Sequence, residues 1–146
     1  MPIKGVKRVR ERLKQELKEI TDKKTHEVLW RVGMLAGGFA ANMTPVDTGF
    51  LINSQFQYIG NTAEGMQLRL GYTARYAEWV HDMPGKLKGQ PREHFGKTRE
   101  GVEFGGGTGK GKYWDPNAEP EFLRKAFEDP NNADDIYKEI VEGYKT

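Results

Sequence analysis

At Thr44-Pro45-Val46-Asp47-Thr48-Gly49 the hydrophobic period of the chain changes. Upstream, large apolar residues recur every three or four positions; downstream, they recur every second one. The first period belongs to one face of an α-helix and the second to one face of a β-strand. The segment between them is a punctuated corner. Pro45 fixes one dihedral, Asp47 can accept from the backbone of Thr48 or Gly49, and Gly49 can take a positive φ. Pro45, Asp47, Thr48 and Gly49 are therefore assigned as a rigid structural corner that turns a helix into a hairpin. A catalytic aspartate is the sharper reading of Asp47, and a turn-forming aspartate is the better one.

Before the corner, Val6, Val9, Leu13, Leu17 and Ile20 share one helical face, with lysines and arginines on the other. The stripe then misses a turn, because Lys24 holds the expected apolar position. Thr21 and Asp22 are good N-cap residues, so a break or bend is predicted near 21–25, dividing two long N-terminal helices. The second carries Val28, Val32, Leu35, Phe39 and Met43 and ends before Pro45. Its far side is small: Gly33, Ala36, Gly37, Gly38, Ala40 and Ala41. Each glycine weakens a helix by about 1 kcal/mol relative to alanine. Their presence predicts close approach of another backbone, from the sheet or from a neighbouring subunit.

After the corner, Phe50, Ile52, Phe56 and Tyr58 alternate with Asn53, Gln55 and Gln57, and Met66, Leu68, Leu70 and Tyr72 alternate with Gln67 and Arg69. Two strands with one apolar face each, linked by the turn-like stretch 60–65, form an antiparallel hairpin. Ala74–Val80 suits a third strand or a helical turn. Residues 84–117 read as irregular, with room for a short hairpin around Val102 and Phe104. A last helix starts near Glu119 or Pro120, with Asn117 as its cap and Phe122, Leu123, Ala126 and Phe127 as its apolar face. Pro130 interrupts it, and a final piece over 132–144 carries Ile136, Ile140, Val141 and Tyr144. The predicted fold is α+β: long N-terminal helices on a small antiparallel sheet, a long irregular loop and a C-terminal helix. It forms one domain over residues 1–146 with an irregular insertion at 84–117.

Hydrophobic residues make up 36% of the 146 and charged residues 30%, so the core is small for the chain. The net charge of +2 is too low to mark a nucleic-acid binder. Its distribution says more. Residues 1–24 carry nine Lys/Arg against four Asp/Glu, residues 84–113 seven against three, and residues 115–146 four against nine. A basic start and an acidic end can attract each other within a chain or between chains, although charged helices also simply solvate their outer faces. The absence of cysteine excludes disulfides, zinc–thiolate sites and thiol chemistry. No apolar run approaches the ~20 residues that span a bilayer. The start of the chain lacks the apolar core of a secretion signal, so the expected compartment is the cytoplasm, unless a larger particle carries the protein out.

Little in the sequence points to chemistry. Phe104-Gly105-Gly106-Gly107-Thr108-Gly109-Lys110-Gly111-Lys112 invites a phosphate-loop reading, but Gly111 stands where Ser or Thr is required and Phe104 where the first glycine is required. His26, His81 and His94 have no metal-ligand spacing. His81 and Glu78 form the one acid–base pair that a small hydrolase could use, without a nucleophile or metal to accompany it. No catalytic, cofactor or metal residue is therefore assigned, and no enzyme activity is expected. Tyr72, Tyr76, Trp79, Tyr113 and Trp114 lie among basic residues, a composition that suits single-stranded nucleic acid. Trp79 is assigned instead to the core. The insertion holds more large apolar groups than a solvated loop needs, and Leu87, Phe95, Phe104, Tyr113 and Trp114 are assigned as assembly contacts. The alternative is a small basic nucleic-acid-binding protein that uses the N-terminal helix and the insertion.

Thr44 to Leu51 with Ser54, a following hairpin, and Tyr76-Ala77 with Val80 together resemble the minor tail component family of long-tailed phages, also called tail-completion, neck or head–tail joining proteins. Pro120-Glu121-Phe122-Leu123-Arg124 followed by Ala126 is similar to the helix that tends to end that family. The likeness covers residues 25–83 and 119–129. It departs at His81-Asp82-Met83-Pro84, where the family often has an acidic residue and Gly-Thr, and in the longer insertion that follows. The resemblance implies an α+β fold, no catalysis, no cofactor and a structural place in the virion. It implies a homo-oligomeric ring, six subunits being the number it suggests. The ring's neighbours would be phage neck, tail-terminator or tail-tube proteins, with DNA passing close by in the channel and no membrane. Assembly would take place in the host cytoplasm.

Overall fold

The computed structural model describes residues 5–46, 49–86, 88–90, 97–99, 102–103 and 115–145. The fold is α+β: a long N-terminal helix, a two-stranded antiparallel sheet and a C-terminal helical pair. Helix α1 runs unbroken from Val6 to Met43, 38 residues and roughly 57 Å at 1.5 Å per residue. The predicted break at 21–25 is absent. Thr21 caps nothing; its hydroxyl donates to the Leu17 carbonyl one turn back, at 2.8 Å. Neither glycine nor proline occurs between Val6 and Val32, and the intervening Lys, Arg, Glu and Leu are strong helix formers. The missing turn of the apolar stripe marks a change of face within a single helix.

Gly49, with φ 82°, is left-handed and opens the short helix α2, Phe50–Asn53. Phe50 and Ile52 thus lie on a helical turn instead of the predicted strand. The amide of Ser54 and its hydroxyl both donate to the Leu51 carbonyl and end the turn. Strand β1 (Gln55–Thr62) then pairs with β2 (Gly65–Tyr72), with Gln55 opposite Tyr72 and Thr62 opposite Gly65. The hairpin turn is only Ala63-Glu64, shorter than expected, because Gly65 takes φ 136°. Ala74–Val80 is no strand: Ala74 is buried, and helix α3 spans Ala77–Asp82.

Lys97–Arg99 (β3) and Val102–Glu103 (β4) form a small antiparallel pair inside the insertion. The C-terminal helix is two pieces, α4 (Phe122–Glu128) and α5 (Pro130–Tyr144). Helix α4 starts later than predicted, with Glu121 at φ 53° in front of it. Asp129 caps α5 by accepting from the Asn131 amide, and Pro130 occupies the first turn, where its missing N–H costs nothing.

One cluster joins these elements. Leu51, Ala74 and Phe122 form its centre, with Met43, Tyr72, Ala77, Val80 and Leu123 packed around them. Tyr72 and His81 each present a ring edge-on to Phe122, at 5.3 and 5.1 Å. Along α1, the small face expected from the sequence does receive close neighbours. A Cβ on Gly37 would meet the Gln55 amide oxygen at 2.9 Å, and one on Gly143 of α5 would meet Val28 at 2.6 Å. Gly143 lets α5 approach Val28 of α1 this closely, whereas at Gly37 the neighbour is the end of the flexible Gln55 side chain.

Candidate assembly surface

The corner is held from the far end of the chain. Thr44 is buried, and its hydroxyl donates to the Ala40 carbonyl at 2.7 Å. Having used its proton there, it accepts from the Tyr72 hydroxyl at 2.7 Å. Tyr72 in turn accepts from the Gln55 amide at 2.9 Å, and Gln55 also donates to the Gly37 carbonyl. Past Pro45, the Val46 amide donates to Asp115 Oδ2 at 3.1 Å, while Asp115 Oδ1 accepts from the Asn117 amide at 2.9 Å. The Glu119 amide donates to the Met43 carbonyl. Asp47 and Thr48 lie outside the described residues. Sequence reasoning missed Asp115, the buried carboxylate that ties the corner to the C-terminal helices. Its signal was present in Asp115-Pro116-Asn117, a turn-initiating pattern.

Beside the corner is an open cleft of about 850 Å³, lined by Asn42, Met43, Lys88, Asn117, Glu119 and Lys125 among others. Its cations face the chain's own acids. Lys88 and Lys125 both donate to Glu119, and Arg124 donates to Glu121 at 2.9 Å and Glu128 at 2.7 Å. The hydrogen bonds from Lys88, then from Lys125, hold the Glu119 carboxyl below its ordinary range. His81 is occupied in the same region. Its Nε2 accepts from the Arg124 amide at 3.4 Å, so Nδ1 carries the proton 3.0 Å from Asp82 Oδ1. Among the described residues, no three His, Asp or Glu side chains are grouped to hold a metal ion, and no helix is long and apolar enough to cross a membrane.

Large apolar side chains are also left open. From Gly5 to Glu27 no residue of α1 is buried. This arm extends roughly 33 Å beyond Val28, the first buried position. Val6, Val9, Leu13, Leu17 and Ile20 all lie on it exposed, Leu13 at 54% and Leu17 at 55%. On the hairpin, β2 turns its expected apolar face inward, whereas the alternation of β1 is inverted from expectation. Gln55, Gln57 and Ile59 of β1 lie on the side of Leu68, Leu70 and Tyr72 against α1, whereas Phe56 and Tyr58 face outward. Phe56 lies across Gly71 and Tyr58 across Gly60. Trp79, assigned to the core, is 75% exposed on α3, and Trp30 and Met34 add to the open surface of α1. The remaining sequence-assigned contacts, Leu87, Phe95, Phe104, Tyr113 and Trp114, lie outside the described residues. No family model, no curated protein and no solved structure matches the chain.

Proposed function

We propose that the chain is a non-enzymatic structural subunit of a long-tailed phage, assembling with copies of itself into a ring at the head–tail joint. The observation that carries this reading is the exposed apolar surface. A 22-residue helical arm with five large aliphatic side chains, an outward aromatic sheet face and an open tryptophan exceed what a monomer leaves bare. A two-stranded hairpin, unpaired on both edges among the described residues, also suits addition of further strands. The phage assignment rests on the sequence resemblance at Thr44–Leu51, Ser54, Tyr76, Ala77 and Val80. On this reading the ring, a hexamer by that resemblance, contacts neck, tail-terminator or tail-tube proteins and travels with the virion.

The test is removal of the gene from its phage together with electron microscopy of the purified protein. The reading expects rings in the purified protein and, from the deletion, filled heads and tails that fail to join. Normal joined particles from the deletion would dismiss it. The basic arm supports a second reading, nucleic-acid binding. That reading expects retention on DNA whose log affinity falls linearly with log salt, with a slope that arm Lys/Arg substitutions reduce.

A further inference from the structure

The two apolar stripes of α1 do not lie on one face. At 100° per residue, the centre of the arm stripe from Val6 to Ile20 is turned about 150° from the centre of the buried face carrying Val28, Val32, Gly33, Ala36, Gly37 and Ala40. The hairpin, α4 and α5 pack on the second face, so the first is turned away from these described elements. A helix with an apolar stripe buries that stripe against something, so the arm calls for a partner.

The chain carries a matching surface. Helix α5 lies against α1 through Gly143, with Tyr144 bonded to Thr25 at 2.8 Å and Glu139 beside Arg31. Next to that buried side, α5 exposes Tyr137, Val141 and Tyr144, Tyr137 at 67%. Their spacing of four then three repeats that of Leu13, Leu17 and Ile20. The charges around the two stripes are opposite. Residues 6–24 of the arm carry eight Lys/Arg against four Asp/Glu, and residues 128–144 carry one against six. Two arms laid together would oppose like charge.

We infer that the arm of one copy packs on α5 of the next, with Leu13, Leu17 and Ile20 against Tyr137, Val141 and Tyr144 and basic groups of the arm facing acids of α5. The partner is therefore a second copy of this chain, joined head to tail, the kind of contact that closes into a ring or continues as a filament. The inference deepens the self-assembly part of the proposed function and is independent of the phage assignment.

Cross-linking tests it cleanly, because the chain has no cysteine. Full-length Leu17→Cys and Val141→Cys proteins, mixed and mildly oxidised, are expected to give a disulfide-linked pair that neither protein gives alone. In parallel, Leu13→Glu with Leu17→Glu is expected to raise the self-dissociation constant at least about tenfold, and raising the ionic strength from about 0.1 to about 1 M to raise it as well. Circular dichroism on every variant separates misfolding from lost contact. Three results would overturn the inference: Leu17→Cys linking to itself as readily as to Val141→Cys, a self-dissociation constant that neither the glutamates nor salt raises, or a wild-type chain that sediments as a monomer at every concentration. Joined phage particles formed without the gene would dismiss the phage reading and leave this contact standing if the mixed cross-link forms.

Discussion

Gly49 is the residue on which the corner turns. Its φ of 82° lies where a side chain with a Cβ is strained, and a β-branched one most of all. Gly49→Val is expected to lower the unfolding free energy by about 1–3 kcal/mol, read from urea melts at a protein concentration low enough to exclude self-association. An unchanged midpoint would mean that the turn relaxes without cost. Glu119 makes a pH-dependent contribution of the opposite kind. Lys88 and Lys125 hold its carboxyl below the ordinary value of 4.5, so the folded state binds its proton less readily than the unfolded chain does. The stabilisation is therefore complete above the ordinary carboxylate range and is lost as pH falls through the lowered folded-state value. Both lysines and the carboxylate are about one-third exposed, so solvent screening keeps the contribution under about 1 kcal/mol. Glu119→Gln should flatten the acid limb of the stability–pH curve and leave its shape near neutrality unchanged. A parallel downward offset at all pH values would point to lost packing instead.

At the scale of elements, the order helix–corner–hairpin–helix was legible because each change of hydrophobic period is written in the chain. The positions of Pro45, Gly49 and Pro130 then placed the boundaries to within a few residues. Orientation was less legible. Phe56 and Tyr58 read as the buried face of β1, yet Gln55 and Gln57 take that place. The reason lies on another element: opposite them α1 offers Gly37 and its carbonyl, which suit an amide donor better than an aromatic ring. Periodicity reports that two faces differ, not which one meets the helix. Likewise Lys24 interrupted the stripe of α1 and suggested a bend, because a change of partner and a change of direction look the same in one dimension. The contact through Asp115 was invisible for a third reason: it joins residues 69 positions apart. The inverted face has a consequence that mutation can read. Gln55→Leu adds an apolar group to an inward position, which area alone would count as favourable by about 1 kcal/mol or more. It also removes the donor shared by the Gly37 carbonyl and the Tyr72 hydroxyl in a part-buried site, and loss of two such bonds outweighs that gain. The variant is expected to lose about 1–2 kcal/mol. A gain in stability would show that the amide is dispensable there.

At the scale of the whole molecule, two kinds of surface divide the chain. The body from Val28 onward is closed largely by small residues, Ala36 and Ala40 of α1 and Ala126 of α4, so its stability comes from close approach more than from large buried side chains. The arm, by contrast, leaves its large apolar side chains exposed among the described residues. On the head-to-tail reading those side chains become core only on assembly, and part of the measured stability then depends on concentration. The melting temperature of the wild type should rise with protein concentration, whereas a Leu13→Glu, Leu17→Glu variant should melt at one temperature throughout, close to that of the dilute wild type. Salt separates the two components of the contact. Raising ionic strength from 0.1 to 1 M shortens the screening length from about 10 to about 3 Å, which removes attraction between the basic arm and the acidic helix but spares the apolar stripes. The concentration-dependent part of the transition should therefore weaken without vanishing at 1 M, and association should slow more than dissociation quickens, as expected where charges steer and apolar groups hold. A transition insensitive to concentration at both salt levels would leave the arm without a partner of its own kind. Complete loss of the concentration dependence at 1 M would assign the contact to charge alone and deny the leucine stripe its part.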